Sequence, residues 1–355
     1  MMDIRDKVKK ISVGAVEIGG GAPVSVQTMC STKTWDVDAT VSQIKAMELA
    51  GADIVRIAIP DMDSARAVSR IKEQVSVPLV ADIHFDHRLA LEVAERGIDK
   101  IRINPGNIGE AGNVKAVAGA CRRRNIPIRI GVNAGSLEPG LIEKYGHPCP
   151  EALVESARGH VELLRRYDFD DICISMKSSS VPLTIASYRL AAECFDYPLH
   201  LGVTETGTEW NGTIQSAVGI GTLLCEGIGN TIRVSLTADP VRELSAGIAI
   251  LKAAGLRPGG LKFVSCPTCG RTEIDLIALA TEVEQQLKGI DRDITVAVMG
   301  CVVNGPGEAR EADYGIAGGR GKGLLFKKGR VLGTYPYDEL CGRLLELIRS
   351  DGETP

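Results

Sequence analysis

The chain has 355 residues, of which 44% are hydrophobic and 24% charged, and its formal net charge is −4. This composition is that of a globular protein with one large barrel or two domains, and it excludes a mainly disordered chain. The charges form no long block of one sign, and no apolar stretch approaches the roughly 20 residues that span a bilayer. The N-terminus also lacks an apolar segment, so we expect a cytoplasmic protein without nucleic-acid or membrane partners.

Short β-rich runs alternate with amphipathic helical patterns through the first two thirds of the chain. The predicted strands are 23–29, 53–59, 77–83, 99–105, 126–133, 171–177, 197–205 and 230–236. The predicted helices are 37–50, 63–74, 86–96, 109–124, 150–167, 181–195, 212–226 and 239–254. These units predict a (β/α)8 TIM barrel in an α/β protein. A doubly wound open sheet shares the alternation, but it needs no eighth unit, and no GxGxxG motif follows the first run.

Polar side chains stand where the predicted strands end, which is the reactive face of such a barrel. They are Arg56, Asp82, His84, Arg102, Asn104, Arg129, Asn133, Lys177, Glu205, Arg233 and Ser235. A single arginine near a strand end is usually a surface charge or pairs with a carboxylate. Five cations on different strands instead indicate a multiply anionic ligand, because desolvated like charges repel one another. We therefore expect this mouth to bind a phosphate or diphosphate ester.

The interval between the fifth and sixth strands is the longest and contains "GVNAGSLEPGLIEKYGHPCP", residues 131–150. Its glycines and prolines predict an extended loop over the mouth. Such a loop is either a lid that excludes water or a passive insertion, and the sequence does not decide between them.

A Gly/Pro-rich break at 255–260 predicts a linker between a substrate-binding barrel, 1–254, and a small C-terminal α/β domain, 261–355. In the second domain the patterns predict a helix at 272–288, a strand at 294–300 and a terminal helix at 337–349. Two short strands are expected around "GLLFKKGRVLG".

The C-terminal domain carries three cysteines at ligand spacing. "CPTCGR" supplies Cys266 and Cys269, and "MGCVVNGPGEAR" supplies Cys301. A zinc or iron–sulfur site usually has four ligands, so a fourth is needed. Cys341 is predicted to be a core residue, because it shares a helical face with apolar side chains. Glu308, in the Gly-rich turn, is the other candidate, and spacing alone does not choose zinc or iron.

These two motifs resemble the signature of the bacterial 4-hydroxy-3-methylbut-2-en-1-yl diphosphate synthase family, the iron–sulfur enzymes of the methylerythritol phosphate pathway to isoprenoids. The blocks "VRIAIP", "ADIHFD", "KIRINPGNIG", "IRIGVNAGSL", "SMKSS", "HLGVTETG" and "NTIRVSL" are similar to further family blocks. The segment "TMCSTKT", residues 28–34, departs from the family pattern, because Cys30 and Ser31 stand where the family usually has Thr and Asn.

The resemblance implies an oxidoreductase acting on CH or CH2 groups, with one [4Fe-4S] cluster per subunit. The implied cluster ligands are Cys266, Cys269, Cys301 and Glu308. The resemblance also implies a C-terminal domain like the cluster domains of sulfite and nitrite reductases, and flavodoxin or ferredoxin as electron donor. It further implies a homodimer in which each active site forms across subunits.

The implied reaction is reductive ring opening and dehydration of 2-C-methyl-D-erythritol 2,4-cyclodiphosphate to (E)-4-hydroxy-3-methylbut-2-enyl diphosphate. The residues matched to diphosphate binding are Arg56, Arg102, Arg129, Asn133, Lys177, Arg233 and Ser235. Glu205 matches the acid/base carboxylate, and Asn304 matches a residue beside the cluster. We expect Glu205 to be buried, because burial favours the protonated form of a carboxyl group. The alternative is a phosphate-ester aldolase or transferase barrel with a structural zinc domain.

Overall fold

The computed structural model describes residues 4–104, 107–287, 290, 292–301 and 309–351. The chain forms two compact units, Met1–Arg257 and Pro258–Pro355, here called the barrel unit and the C-terminal unit. Among the described residues, no helix is both long and apolar enough to cross a membrane.

The barrel unit is built on one parallel sheet. Its strands are β3 (Ser25–Met29), β4 (Ile54–Ala58), β5 (Leu79–Asp82), β6 (Lys100–Ile103), β7 (Ile128–Asn133), β8 (Ile172–Lys177), β9 (His200–Leu201) and β10 (Thr231–Ile232). They are ordered β8-β7-β6-β5-β4-β3-β10-β9, and a parallel bridge between Ile174 and Leu199 brings the two edges together. The predicted eight-stranded barrel is confirmed, although β9 and β10 are much shorter than the predicted runs.

A helix follows each strand of the barrel. The helices are α1 (Val37–Leu49), α2 (Met62–Lys72), α3 (His87–Glu95), α4 (Ala111–Arg123), α6 (Pro150–Arg165), α7 (Val181–Cys194), α8 (Glu209–Cys225) and α9 (Pro240–Ala253). Several begin at an aspartate whose side chain accepts a backbone N–H, as Asp36, Asp61 and Asp239 do. Such caps satisfy amide groups that the first helical turn leaves without a partner.

Successive residues of a barrel strand face alternately the surrounding helices and the barrel interior. In β7, for example, Ile128, Ile130 and Val132 belong to the large apolar core beneath the helices. Arg129, Gly131 and Asn133 have the opposite parity and therefore face the barrel interior. On the adjacent strands Arg102, Ser175 and Lys177 are the register partners of these three residues, so this part of the barrel interior is polar.

An N-terminal hairpin that the sequence analysis did not predict consists of β1 (Ile11–Val13) and β2 (Val16–Ile18). Its residues Ile11, Val13 and Ile18 form an apolar cluster with Ile54, Val80 and Cys173. The last three lie near the amino ends of their strands. The hairpin therefore covers the end of the barrel opposite the predicted site.

The long interval after β7 contains a short helix, α5 (Pro139–Tyr145). Glu138, just before it, accepts a hydrogen bond from Ser156 at 3.0 Å and lies 2.9 Å from His160 Nε2, both on α6. Lys144 and Tyr145 at its other end both contact Glu155 of α6. This segment is therefore attached to α6 at both ends of its helix.

In the residues that the structure describes, the C-terminal unit is a five-stranded mixed sheet with two α-helices. Its strands are β11 (Leu261–Ser265), β12 (Ile294–Met299), β13 (Tyr314–Gly318), β14 (Lys322–Lys327) and β15 (Arg330–Pro336), in that order, and β11, β12 and β13 are parallel. Helices α10 (Leu276–Gln286) and α11 (Leu340–Ser350) contribute to the apolar core with the sheet. The predicted helix at 272–288 thus begins later than expected, and β11 and β13 were not predicted.

Candidate functional site

The five predicted cations lie on inward-facing positions of five barrel strands, or just beyond them. We call Arg56, Arg102, Arg129, Lys177 and Arg233 the cation cluster. Arg102 of β6 and Arg129 of β7 lie side by side as register partners on adjacent strands. Burial, and then the charges of Arg233, Arg129 and Arg102, lower the pKa of Arg56 despite its contact with Asp82. The structure therefore brings the predicted cations together at one end of the barrel.

Asp82, at the end of β5, organises one side of the cluster. Its carboxylate accepts a hydrogen bond from Arg102 Nη1 at 3.2 Å and lies 3.9 Å from Arg56 Nε. His84 Nε2 lies 3.5 Å from the same carboxylate, although the His84 ring is exposed. Burial opposes ionisation of Asp82, but Arg56, His84 and Arg102 together hold the pKa of its carboxyl below the usual range. Asp82 thus stays charged and fixes both guanidinium groups.

Glu243 on α9 has the same role on the other side of the mouth, and the sequence analysis missed it. It is 5% exposed, and Arg233 Nη2 donates to both of its oxygens at 3.2 and 3.3 Å. The backbone N–H of Leu236 also donates to Glu243 Oε1 at 2.9 Å. The available signal in the sequence was a glutamate in the first turn of the helix that follows a strand end with an arginine.

Arg129 and Lys177 have no carboxylate partner among the described residues. Arg129 is 1% exposed, and its Nε and Nη1 atoms have no hydrogen-bond partner there. Burial and the neighbouring Arg102 lower the pKa of Arg129 to about 10. Burial and the charge of Arg233 similarly lower the pKa of Lys177. Since unpaired buried cations are costly, this part of the mouth is complementary to an anionic ligand.

The remaining predicted polar residues surround the cluster. Asn104 is 9% exposed, and Asn133 and Ser235 are half-buried. The Ser235 carbonyl accepts a hydrogen bond from Thr206 Oγ1, which ties the segment after β10 to the segment after β9.

Glu205 is not buried, contrary to the expectation from the sequence. Its side chain is exposed, and its backbone has a φ of 57°, in the left-handed region that non-glycine residues rarely adopt. It lies in the segment after β9, between the buried Thr206 and the half-buried Thr204. Because the strand is only two residues long, the chain has already left the barrel interior at position 205.

A second polar layer lies in the barrel interior, and the sequence analysis did not identify it. This lower layer consists of Ser25, Gln27, Lys100 and His200, each at most 4% exposed. Ser25 Oγ, both amide atoms of Gln27, Lys100 Nζ and His200 Nε2 lack a hydrogen-bond partner within the described part of the chain. Burial, together with Arg129 and Arg56, lowers the pKa of Lys100 to about 8, although Cys173 acts in the opposite direction. The period-2 alternation of "KIRIN" was the signal for Lys100.

In the C-terminal unit, the three motif cysteines follow two adjacent parallel strands. Cys266 comes directly after β11, and Cys301 comes two residues after the end of β12. The Gly300 N–H donates to Cys266 Sγ at 3.2 Å, so the two segments touch at this edge. Cys269 is exposed, and hydrogen bonds from Arg271 lower the pKa of its thiol. We call Cys266, Cys269 and Cys301 the cysteine edge.

These thiols fit an iron–sulfur centre in chemistry, since thiolates hold such clusters and hydrogen bonds to sulfur stabilise the thiolate form. Within the described residues, however, no group of three His, Cys, Asp or Glu side chains is assembled as a metal site. The predicted ligand Glu308 and the predicted neighbour Asn304 lie outside the described residues.

Two cysteines outside the motifs, Cys341 and Cys30, are buried. Cys341 is 6% exposed in the apolar core of the C-terminal unit, which confirms its predicted core position. Cys30 packs in the barrel core, and burial raises the pKa of its thiol to about 12, so it is not a reactive thiolate at the mouth.

Comparisons with known proteins address the whole chain. Over 96% of its length it is 58% identical to the 4-hydroxy-3-methylbut-2-en-1-yl diphosphate synthase (flavodoxin) of Geobacter sulfurreducens, and the alignment covers 97% of that protein. The enzyme of the same name from Clostridium perfringens is 58% identical over 98% of this chain and 99% of its own. These relatives confirm the family resemblance and do not favour an aldolase or transferase with a zinc domain.

Among solved structures, type I 3-dehydroquinate dehydratase from Clostridium difficile matches 70% of this chain and 98% of its own with a TM-score of 0.52. At 13% identity this likeness shows the fold alone. The family model described as the GcpE TIM-barrel domain matches residues 8–248, and that of the GcpE protein C-terminal domain matches 262–350. The chain therefore belongs to the GcpE family.

Proposed function

We propose that this protein opens and dehydrates 2-C-methyl-D-erythritol 2,4-cyclodiphosphate to (E)-4-hydroxy-3-methylbut-2-enyl diphosphate in isoprenoid biosynthesis. The observation that carries the proposal is the cation cluster, in which Arg129 and Lys177 lack a carboxylate among the described residues. A diphosphate supplies the negative charge that this mouth lacks. Over almost its whole length, the chain is 58% identical in sequence to two 4-hydroxy-3-methylbut-2-en-1-yl diphosphate synthases. This similarity supports the choice of substrate.

The cation cluster binds and orients the diphosphate in this proposal. Arg129 and Lys177 contact phosphate oxygens directly, while Arg56, Arg102 and Arg233 are held in place by Asp82 and Glu243. Asn133, Ser235, Asn104 and His84 complete the rim. Asp82, which the sequence suggested as a substrate contact, is better suited to orienting two arginines. When the bond from C2 to the phosphate oxygen breaks, the same cations stabilise the charge that develops on the freed oxygen.

Glu205 donates the proton with which the C3 hydroxyl leaves as water. In the structure Glu205 is exposed and lies in the segment after β9.

The cysteine edge, with Glu308 as fourth ligand, holds one [4Fe-4S] cluster per subunit in this proposal. The bound cluster would supply the two electrons of the reduction. The hydrogen bonds to the Cys266 and Cys269 sulfurs orient these ligands. Flavodoxin is the proposed electron donor, because it stands in the names of the relatives, and ferredoxin is the alternative.

Turnover tests the proposal. The anaerobically purified protein is incubated with the cyclic diphosphate and reduced flavodoxin, or dithionite, and the linear diphosphate is measured. Product that depends on reductant and on bound iron supports the proposal. A colourless protein that contains zinc and forms no product contradicts it.

We further propose a homodimer in which the barrel of one subunit and the cluster of the other form each active site. Mixed dimers of Arg233→Ala and Cys301→Ser chains test this arrangement. If sites form across subunits, one site in each mixed dimer keeps both intact parts, and random mixing restores about a quarter of wild-type activity. If each site lies within one chain, mixing restores none.

A further inference from the structure

Two glycines face the barrel interior beside the cation cluster. Gly131 lies between Arg129 and Asn133 on β7, and Gly202 directly follows β9. Neither is among the residues with positive φ, so the backbone at these positions accepts any L-amino acid. The reason for glycine here is therefore space rather than conformation.

That space is filled by cations from the neighbouring strands. A Cβ atom at position 131 would overlap Arg102 Nε and would lie 2.7 Å from its Nη2 and 2.9 Å from its Cζ. At position 202 it would lie 2.8 Å from Lys177 Nζ and 2.9 Å from the Arg233 carbonyl oxygen. Each glycine is thus covered by the charged end of a side chain that crosses it.

Displacing either cation costs interaction energy. The Arg102 side chain is 11% exposed and donates to Asp82 Oδ1 at 3.2 Å, so a displacement of its guanidinium stretches that hydrogen bond. Lys177 lies among the other four cations, whose charges already lower its pKa together with burial. Movement of Lys177 Nζ toward any of them increases the repulsion.

We propose that Gly131 and Gly202 are positioning residues of the diphosphate site, which let Arg102 and Lys177 lie across the neighbouring strand with their charged ends at the ligand position. This inference rests on the proposed function, because it assigns the two glycines to the same diphosphate. A methyl group at either position moves the cation and lowers affinity without removing a charge.

The first test is a double-mutant cycle with Gly131→Ala and Arg102→Ala. Dissociation constants for the cyclic diphosphate are measured by calorimetry on the oxidised protein, in the absence of reductant. We expect Gly131→Ala to weaken binding roughly 10- to 100-fold, about the effect of losing one charge-assisted hydrogen bond to the diphosphate. In the Arg102→Ala background the same substitution should change affinity less than about threefold, because no guanidinium remains to be displaced.

Gly219→Ala on α8 is the matched control. Its Cβ would lie 2.7 Å from Val203 Cγ2, a similar steric conflict in the same barrel that involves no cation. We expect this variant to bind the diphosphate as the wild type does, even if thermal unfolding shows it to be less stable. Gly202→Ala with Lys177→Ala provides a second cycle, should Gly131→Ala not fold. The effect of Gly202→Ala that remains in the Lys177→Ala background measures the conflict with the Arg233 carbonyl oxygen, which Lys177→Ala does not remove.

The outcomes separate this inference from the function on which it rests. If the wild type binds the diphosphate but the glycine variants bind equally well, or their effects are additive with those of the cations, the positioning role is wrong and the function stands. Equal loss of binding in Gly219→Ala would also overturn it. If the wild type does not bind the diphosphate, the proposed function fails, and this inference fails with it.

Discussion

The barrel mouth and the cysteine edge represent opposite ways of preparing a site. At the mouth, Arg129 is 1% exposed, and Asp82 and Glu243 hold three other cations at fixed positions. At the cysteine edge, Cys269 is exposed and Cys266 and Cys301 are half-buried. The three sulfurs are not assembled as a metal site in the described part of the chain.

The difference follows from what completes each site. A parallel barrel fixes its strands by backbone hydrogen bonds, so interior side chains are positioned before any ligand arrives. Thiolates of a metal site repel one another until the metal neutralises them, so the cluster itself gathers the ligands. We therefore expect substitutions at the mouth to change binding and rate in an intact protein, whereas substitutions at the cysteine edge change whether a site exists.

The largest effect is expected at the cysteine edge. Cys266→Ser, Cys269→Ser or Cys301→Ser should abolish intact cluster binding, because each removes a thiolate ligand. Glu308→Ala should leave a labile cluster instead, since three thiolates remain. Iron and sulfide analysis with visible absorption measures the outcome. Cys341→Ser is the control and should keep its iron, and an equal loss of iron there would mean that the ligand set is wrong.

Glu205→Gln should lower the turnover rate by about 10²- to 10⁴-fold, the usual contribution of a general acid, with little change in substrate affinity. The amide keeps the size of the side chain and its hydrogen bonding but cannot deliver a proton. Turnover with a chemical reductant and substrate titration are measured together, and iron content should be unchanged. Glu209→Gln, another exposed glutamate in this segment, is the control. Wild-type turnover by Glu205→Gln would reassign the acid.

Arg56→Ala or Arg233→Ala should weaken substrate binding by about 1.5–3 kcal/mol each, through loss of charge-assisted hydrogen bonds. The cluster spectrum should stay intact, since neither residue lies in the C-terminal unit. Calorimetric titration gives the affinity. Arg122→Ala, on the outer face of α4 with a 57% exposed side chain, is the matched control and should bind normally. Unchanged affinity in both mouth variants would separate the mouth from diphosphate binding.

Lys100→Met tests how a buried charge in the barrel interior affects the free energy of unfolding. The pKa of Lys100 falls from 10.5 to about 8 on folding, so the folded protein at pH 7 holds a buried charge that opposes folding. Removing it should raise the free energy of unfolding by up to about 3 kcal/mol near pH 7. The gain should shrink as the pH rises from about 8 toward 10.5, because the folded wild type then releases the proton while the unfolded chain keeps it.

Denaturant unfolding of both proteins between pH 6 and 10 measures this difference, and the comparison within each pH cancels the titration of other groups. We also expect weaker diphosphate binding, since Lys100 adds positive potential beneath the mouth. A variant that is less stable than the wild type at pH 7 would show that Lys100 has a compensating partner.

The sequence alone was sufficient for the features that repeat locally. Period-2 alternation and helical periodicity located the barrel strands and helices, because each pattern reflects burial of one face of an element. The shortness of β9 was not visible in the sequence, and burial of Glu205 was expected only because its acid role favours a protonated carboxyl group.

Only the tertiary structure decided which charges are paired. The sequence placed five cations at strand ends, but not that Asp82 takes Arg56 and Arg102, that Glu243 takes Arg233, or that Arg129 and Lys177 keep no carboxylate among the described residues. It also gave no reason for glycine at 131 and 202, where the cations of adjacent strands cross. Alternation along a strand is a local property of the chain, whereas pairing and crossing depend on strand register and side-chain reach between residues distant in sequence.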